Sequence, residues 1–301
     1  MIRWLALSPS VDITWEVPEL ARGGITRPTT TVRVAGGKAL NAARAARQLG
    51  AAVAALVPLG GAGGVIIARE LGRDGIEVDI VPIENETRMC ASIVETLAGS
   101  PESTDLYEPA TMLSEREQHE LLRRLADWSR RPAGVVALSG SVPQGVDVTA
   151  IARVLHDLRD AGHRIALDSS GEGLRQLVGV VDLVKINRLE AEELLGTARG
   201  SAAAACAAIA DLFDVDVIVT DGVRGSAALF GHVATAVPMT ERAGIFAVGS
   251  GDSYFASVLV DLDRDGRPTT VEVLDAMLGR AARVAARNAA VPGPGRLAPE
   301  L

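Results

Sequence analysis

The sequence predicts an α/β protein, built on a largely parallel central sheet with helices on both faces and a small second β-sheet acting as a lid. Three observations predict it. From residue 114 onward, short apolar runs of strand length alternate with segments of helical spacing, the rhythm of a parallel sheet covered on both sides. Two β-rich pieces, 12–35 and 87–110, interrupt that rhythm near the start. The chain has 301 residues and 48% apolar content, enough for one large core with a small appendage.

Each element has its own signal. Ile2–Leu7 reads as a first strand stopped by Ser8-Pro9-Ser10, and Thr29–Val34 as a β-branched strand. Ala39–Leu49 carries apolar residues at helical spacing with Gly50 as its stop. Val53–Leu59 reads as a buried strand, Gly60–Gly64 as a flexible turn near a ligand, and Val65 to about Leu71 as a helix. Asp79–Pro82 and Cys90–Leu97 read as strands. Ser114–Ser129 is an amphipathic helix whose Ser114 and Glu117 have capping-box spacing. Strand, helix and strand follow at Gly134–Leu138, Val148–Ala161 and Arg164–Leu167; then come strand Leu183–Ile186, helices Arg188–Leu195 and Ala202–Phe213, strand Val215–Thr220 and helix Phe255–Leu262. The tail from Pro292, rich in Pro and Gly, is expected to be loosely ordered. The main domain is expected over 1–11, 36–86 and 111–301, and the lid over 12–35 and 87–110.

Bulk properties narrow the function. The formal net charge is −8, and no basic stripe suggests nucleic acid. Cys90 and Cys206 lack metal-ligand spacing, which argues against a zinc site or disulfide framework and suits a reducing cytoplasm. The N-terminus lacks a signal-peptide pattern, no stretch has membrane-spanning length, and most of the four histidines are expected at the surface.

The strongest chemical signal is Ala247-Val248-Gly249-Ser250-Gly251-Asp252 ahead of an apolar helix. Glycines at a helix start let N–H groups approach an anion. Gly249, Ser250 and Gly251 can cradle a transferring phosphoryl group, and Asp252 can accept a proton from an attacking hydroxyl. The helix dipole is expected to keep Asp252 ionised and a weak base. The plainer alternative is a glycine turn with an ordinary N-cap.

Three further segments sit at candidate strand ends or helix starts. Gly36-Gly37-Lys38-Ala39-Leu40-Asn41 offers close approach, a cation and an amide at one mouth, but it is not a Walker P-loop. Lys185-Ile186-Asn187-Arg188-Leu189-Glu190 can orient phosphate-bound Mg²⁺ through water, with Glu190 as the metal-side carboxylate; the same residues also make a capping box. Thr220-Asp221-Gly222-Val223-Arg224-Gly225 could face a nucleotide or be a strand-to-strand turn. Gly60–Gly64 does not fit G-x-G-x-x-G, because position 66 is Ile, so an NAD-dependent enzyme is disfavoured.

Taken in chain order, from Gly36 through Lys185 and Thr220 to Gly249, the four motifs resemble the PfkB, or ribokinase-type, carbohydrate kinases, and the resemblance runs from Ser8 to Asn288. Within that family the chain is most similar to the 1-phosphofructokinase and tagatose-6-phosphate kinase branch. Leu7-Ser8-Pro9-Ser10-Val11-Asp12, Glu86-Thr87-Arg88, Ser139-Gly140-Ser141-Val142-Pro143-Gln144-Gly145 and Asp168-Ser169-Ser170-Gly171-Glu172 carry that similarity. The departures are Ser8 for Asn, Ala39 for Gly, and Met89-Cys90 after Thr-Arg.

The resemblance implies a ribokinase-like fold and transfer of the γ-phosphoryl group of ATP, with Mg²⁺, to a hexose phosphate. It implies 1-phosphofructokinase-like activity first, and tagatose-6-phosphate or fructose-6-phosphate kinase next. Asp252 would be the base and Gly249, Ser250 and Gly251 the anion hole. Asp12, Gly36, Gly37, Lys38, Asn41 and Ser139 would serve the sugar, and Arg88 its phosphate. Lys185, Asn187, Thr220, Gly222, Gly225 and Asn288 would serve the nucleotide. A kinase of an unphosphorylated sugar or nucleoside is the alternative, and a non-catalytic sugar-phosphate or nucleotide sensor is the alternative of another class. Exposed lid strands need cover, so a homodimer through the lid is expected.

Overall fold

The structure, a computed structural model, describes residues 1–97, 102–239 and 244–300. Its large sheet runs, in chain order, through β1 (Ile2–Leu5), β4 (Val53–Leu59), β5 (Glu77–Pro82), β8 (Val135–Ser139), β9 (Arg164–Asp168), β10 (Leu183–Asn187), β11 (Asp216–Thr220), β12 (Ser226–Phe230) and β13 (Val233–Val237). The smaller sheet holds β2 (Ser10–Val17), β3 (Thr30–Gly36), β6 (Met89–Glu95) and β7 (Glu102–Tyr107). The spatial order is β13-β12-β11-β10-β9-β8-β1-β4-β5 in the first and β3-β2-β6-β7 in the second. Strands β11 through β5 are parallel, β12 runs against β11, and β13 runs against β12.

The helices are α1 (Lys38–Gln48), α2 (Gly61–Arg73), α3 (Glu115–Ala126), α4 (Val148–Asp160), α5 (Gly171–Leu177), α6 (Arg188–Leu195), α7 (Ala202–Phe213), α8 (Ser250–Asp265) and α9 (Val271–Ala289). Alternation along each strand divides the core in two. Ile2, Trp4, Val135 and Ala137 point to the layer of α1, α2, α8 and α9. Leu5, Val136 and Leu138 point to the layer of α3 to α7. Trp4 meets Phe255 of α8 edge to face, ring centroids 5.9 Å apart, so the first strand and the helix carrying Asp252 share one packed seam.

Several expectations are corrected here. Gly60–Gly64 is no flexible turn: Gly60 is the N-cap of α2 and the following glycines form its first turn. Glycine is needed there because the chain's own segment 86–87 presses on it. Glu86 Oε1 accepts from Gly63 N at 2.6 Å, and Thr87 Oγ1 accepts from Gly60 N at 2.9 Å. That carboxylate at a helix N-terminus fixes the approach to Arg88. The tail from Pro292 is packed, with Gly293, Pro294 and Gly295 buried. Strands β12 and β13 and helices α5 and α9 are further elements that the sequence reading passed over. His163 is buried, unlike the surface position expected for most histidines. Among the described residues no helix is long and apolar enough to cross a membrane. Both cysteines are buried free thiols.

Candidate active site

The parallel strands end on one side of the sheet, where an open α/β sheet gathers its ligands. There a cleft of about 440 Å³ lies between those strand ends and the small sheet. It brings together Asp12, Gly37, Lys38, Asn41, Arg88, Lys185, Asn187, Glu190, Thr220, Gly249, Gly251 and Asp252. These positions are spread over 241 residues of sequence, so the fold alone assembles them.

Asp252 sits in the first turn of α8 and is 6% exposed. Gly249 is the N-cap in a left-handed conformation (φ 85°), open to glycine at little cost. A methyl group on it would come within 2.8 Å of Pro294. The first N–H groups of a helix have no intrahelical acceptor, so this turn presents donors beside Asp252. Asn41 Nδ2 donates to Asp252 Oδ2 at 3.0 Å. Burial, and then the nearby Asp168 carboxylate, push Asp252 up to about 6. The expected weak base is thereby corrected: desolvation and a like charge make Asp252 a stronger base than an exposed aspartate, while a carboxyl near 6 stays mostly ionised at neutral pH.

Asp168, at the end of β9, is fully buried, and the sequence motifs do not mark it as a site residue. Its Oδ2 accepts from Lys185 Nζ at 2.8 Å and its Oδ1 from Lys38 Nζ at 3.4 Å. The two ammonium groups hold its carboxyl below the ordinary range despite burial, and Asp168 in turn raises Lys38. One carboxylate thus aims two cations into the cleft. A methyl on Gly251 would lie 3.2 Å from Lys185 Nζ, so that cation stands at the mouth of the cradle. The signal for Asp168 was a lone aspartate at a strand end in the Asp-Ser-Ser-Gly-Glu run.

Asn187 and Glu190 make a reciprocal capping box at α6: Glu190 N donates to Asn187 Oδ1 at 2.9 Å, and Asn187 N to Glu190 Oε2 at 2.8 Å. The other Glu190 oxygen lies 3.6 Å from Lys38 Nζ. That oxygen can hold a water of Mg²⁺, whereas the capped one is committed; oxygen donors with few direct protein ligands suit this ion. Among the described residues no three His, Cys, Asp or Glu side chains gather as a metal cluster.

On the lid side, Arg88 donates Nη1 to Glu108 O at 3.0 Å and Nη2 to Ser8 O at 3.2 Å. Among the described residues its Nε is buried with no partner, as are Asn41 Oδ1 and Ser8 Oγ. Buried polar atoms are rarely left unpaired, so three such atoms around one cleft fit a polar ligand. Asp12 accepts from Ser10 Oγ at 2.5 Å and from Gly37 N at 3.4 Å. Burial pushes its carboxyl up.

Other expected residues stand behind the cleft. A methyl on Gly36 would overlap the Asp12 carboxylate, so Gly36 makes room for Asp12. Ser139 is buried at the end of β8 without a hydroxyl partner. Gly222 and Gly225 form the turn between β11 and β12, where Asp221 N donates to Gly225 O at 2.8 Å; a methyl on Gly225 would strike Val237 O. The turn reading therefore accounts for Gly225. Asn288 is fully buried and saturated: its amide donates to Val248 O at 2.9 Å and accepts from Ser253 Oγ at 3.0 Å and Gly295 N at 2.7 Å. It ties the 246–250 loop to α8 and the tail. Ser250 shares that knot through Asn288 Nδ2 at 3.4 Å.

The chain is similar to characterised proteins over nearly all its length. The model for the "pfkB family carbohydrate kinase" matches residues 7–300. The ATP-dependent 6-phosphofructokinase isozyme 2 of Mycobacterium tuberculosis is 31% identical over 273 residues, covering 86% of this chain and 77% of the relative. The tetrameric inhibited form of phosphofructokinase-2 from Escherichia coli superposes with a TM-score of 0.84 at 25% identity, over 96% of this chain and 93% of the other. The same enzyme in complex with substrates and products gives 0.87 at 24% identity, over 99% and 95%. Sheet order, strand-end cleft and similarity agree, and the chain belongs to the pfkB family of carbohydrate kinases, phosphotransferases with an alcohol group as acceptor.

Proposed function

We propose that the protein transfers the γ-phosphoryl group of ATP to a hydroxyl of a hexose phosphate, with fructose 6-phosphate the first substrate to test and fructose 1-phosphate and tagatose 6-phosphate next. The observation that carries it is Arg88 at the lid edge of the cleft that holds Asp252, with its Nε buried and unpartnered. A guanidinium suits a substrate phosphate. The similarity to a relative named an ATP-dependent 6-phosphofructokinase supports testing fructose 6-phosphate first.

Asp252, once ionised, accepts the hydroxyl proton as the nucleophile attacks. Asn41 orients its carboxylate. The first-turn N–H groups of α8 and the Lys185 ammonium offset charge on the transferring oxygens. Asp168 keeps both lysines directed at that point. Glu190 and Asn187 flank the place for Mg²⁺, which supplies charge neutralisation on the phosphates when bound. Asp12 can accept from a sugar hydroxyl. The small sheet, which overhangs the cleft, excludes water that would otherwise take the phosphoryl group.

A homodimer through the lid belongs to the same reading. Strand β7 is an edge strand, and its Leu106 and Tyr107 are 59% and 57% exposed. Unpaired edges with apolar side chains invite cover.

The test is ADP release with Mg²⁺ on fructose 6-phosphate, fructose 1-phosphate, tagatose 6-phosphate, fructose, ribose and adenosine. Turnover of one phosphosugar upholds the reading. Turnover of a neutral sugar alone would assign Arg88 a structural role, and silence on the whole panel would favour a sensor.

A further inference from the structure

A second cleft, of about 550 Å³, lies outside the active site, where the end of α1 and the start of the tail meet Asp74 after α2. Arg44, Arg47 and Arg296 line it against the single carboxylate of Asp74. That concentration of positive charge stands out on a chain of net charge −8. Arg44 is 3% exposed and is built into the wall: Nε donates to Asp74 at 2.7 Å, Nη1 to Pro294 O at 3.0 Å and Nη2 to Ala35 O at 2.6 Å. Arg47 spends only its Nε, on Gly75 O at 3.2 Å. No hydrogen bond from the Arg296 guanidinium is formed among the described residues. Burial lowers the Arg44 guanidinium, and Arg296 is close enough to push the same way. Two guanidinium forks with free donors beside a buried third make a cation-lined hollow, and such forks match phosphate oxygens.

We propose that this cleft is a second anion site, for a small phosphorylated molecule or free polyphosphate, and that its occupant braces the tail against the active site. The tail is the physical link. Gly295 packs so closely on α1 that a methyl group would stand 2.3 Å from Asn41 O, and Pro294 packs on Gly249. Gln48 Nε2 donates to Gly295 O at 2.7 Å, and Gln48 Oε1 accepts from Leu297 N at 3.1 Å. An anion bridging Arg47 on α1 and Arg296 on the tail would hold together the segments that carry Asn41 and abut Gly249.

The experiment is hydrogen exchange on the full chain, without magnesium, with and without pyrophosphate. Slowed exchange at 291–298 is expected in the wild type. In R47Q/R296Q, which spares every active-site residue, half-saturation should need about tenfold more pyrophosphate or be lost. D74N, which removes the only carboxylate, should saturate at lower pyrophosphate, a gain that misfolding cannot produce. Protection retained in R47Q/R296Q, or confined to 185–190 and 249–255, overturns the proposal, as does no protection at all. Because the readout is local exchange and not turnover, its failure is distinct from failure of the kinase reading.

Discussion

At the residue scale the decisive feature is the opposed tuning of two buried carboxylates. Asp168 is held low by two lysines, and Asp252 is raised to about 6 by burial and by Asp168 itself. Pairs pushed apart in this way separate a charge-holding role from a proton-accepting one. Only ionised Asp252 can take the proton, so kcat/KM should fall about tenfold per pH unit below about pH 6. Asp168→Asn removes a raising charge and should move that acid limb to lower pH; a limb that stays put would remove Asp168 as its cause. Asp252→Asn should leave ATP binding nearly intact and reduce turnover to below about a hundredth. The same variant carries a stability signature. A raised carboxyl pKa means the folded state binds the extra proton, so stability declines as pH rises from about 4 to about 6 and stays lower above. Asp252→Asn should therefore be more stable at pH 7, by about 1–3 kcal/mol, with the difference vanishing near pH 4 in denaturant titrations. Arg88→Ala should raise KM for a phosphosugar by about tenfold to a hundredfold while sparing KM for ATP.

At the element scale, α8 works because its N-terminus is held from behind. Asn288 on α9 bonds the 246–250 loop, Ser253 and the tail, and Pro294 packs against Gly249. Asn288→Leu leaves Val248 O, Ser253 and Gly295 N without these bonds, at about 1–3 kcal/mol for each polar group that stays buried and unpaired. It should lower Tm and kcat together, with exchange increasing first at 246–253; an unchanged kcat would make the knot merely structural. The helix start itself was legible, since Gly-Ser-Gly-Asp ahead of an apolar run has a local signal. So were the parallel strands, whose apolar runs report burial on both faces. The support behind Asp252 was not. The type and motif of Asn288 do not reveal that its amide is bonded to Val248, Ser253 and Gly295, and the Pro-Gly tail reads as loose because its bonds lie with Arg44 and Gln48, some 250 residues away. The Gly60–Gly64 run likewise looked like a turn until segment 86–87 was placed against it. Local pattern reports local conformation, and long-range partners remain hidden until the sheet order is known.

At the scale of the whole molecule, the proposed reaction would draw on two sheets that face one cleft. The large sheet and its helices line it with Asp252, Lys185 and Glu190, while the lid side lines it with Asp12 and Arg88. The joint between them packs Val11 of β2 and Ala35 of β3 into the core shared with α1 and α2. Arg88 spans it by donating to Ser8 O and Glu108 O, and the Glu86 and Thr87 bonds to α2 fix where the second lid segment leaves the body. A four-stranded sheet of this size has little core of its own and gains from cover on its edges. If a second copy supplies that cover, Leu106→Asp, which places a charge on the exposed edge strand, should shift the protein from dimer to monomer in sedimentation velocity. It should also raise KM for the sugar phosphate more than KM for ATP, because Asp12 and Arg88 depend on the lid and the nucleotide residues do not. A monomeric variant with unchanged sugar KM would uncouple lid order from association. A wild type that sediments as a monomer would mean that the lid holds its position through its own contacts with the body, the packing of Val11 and Ala35 and the Arg88, Glu86 and Thr87 bonds among them.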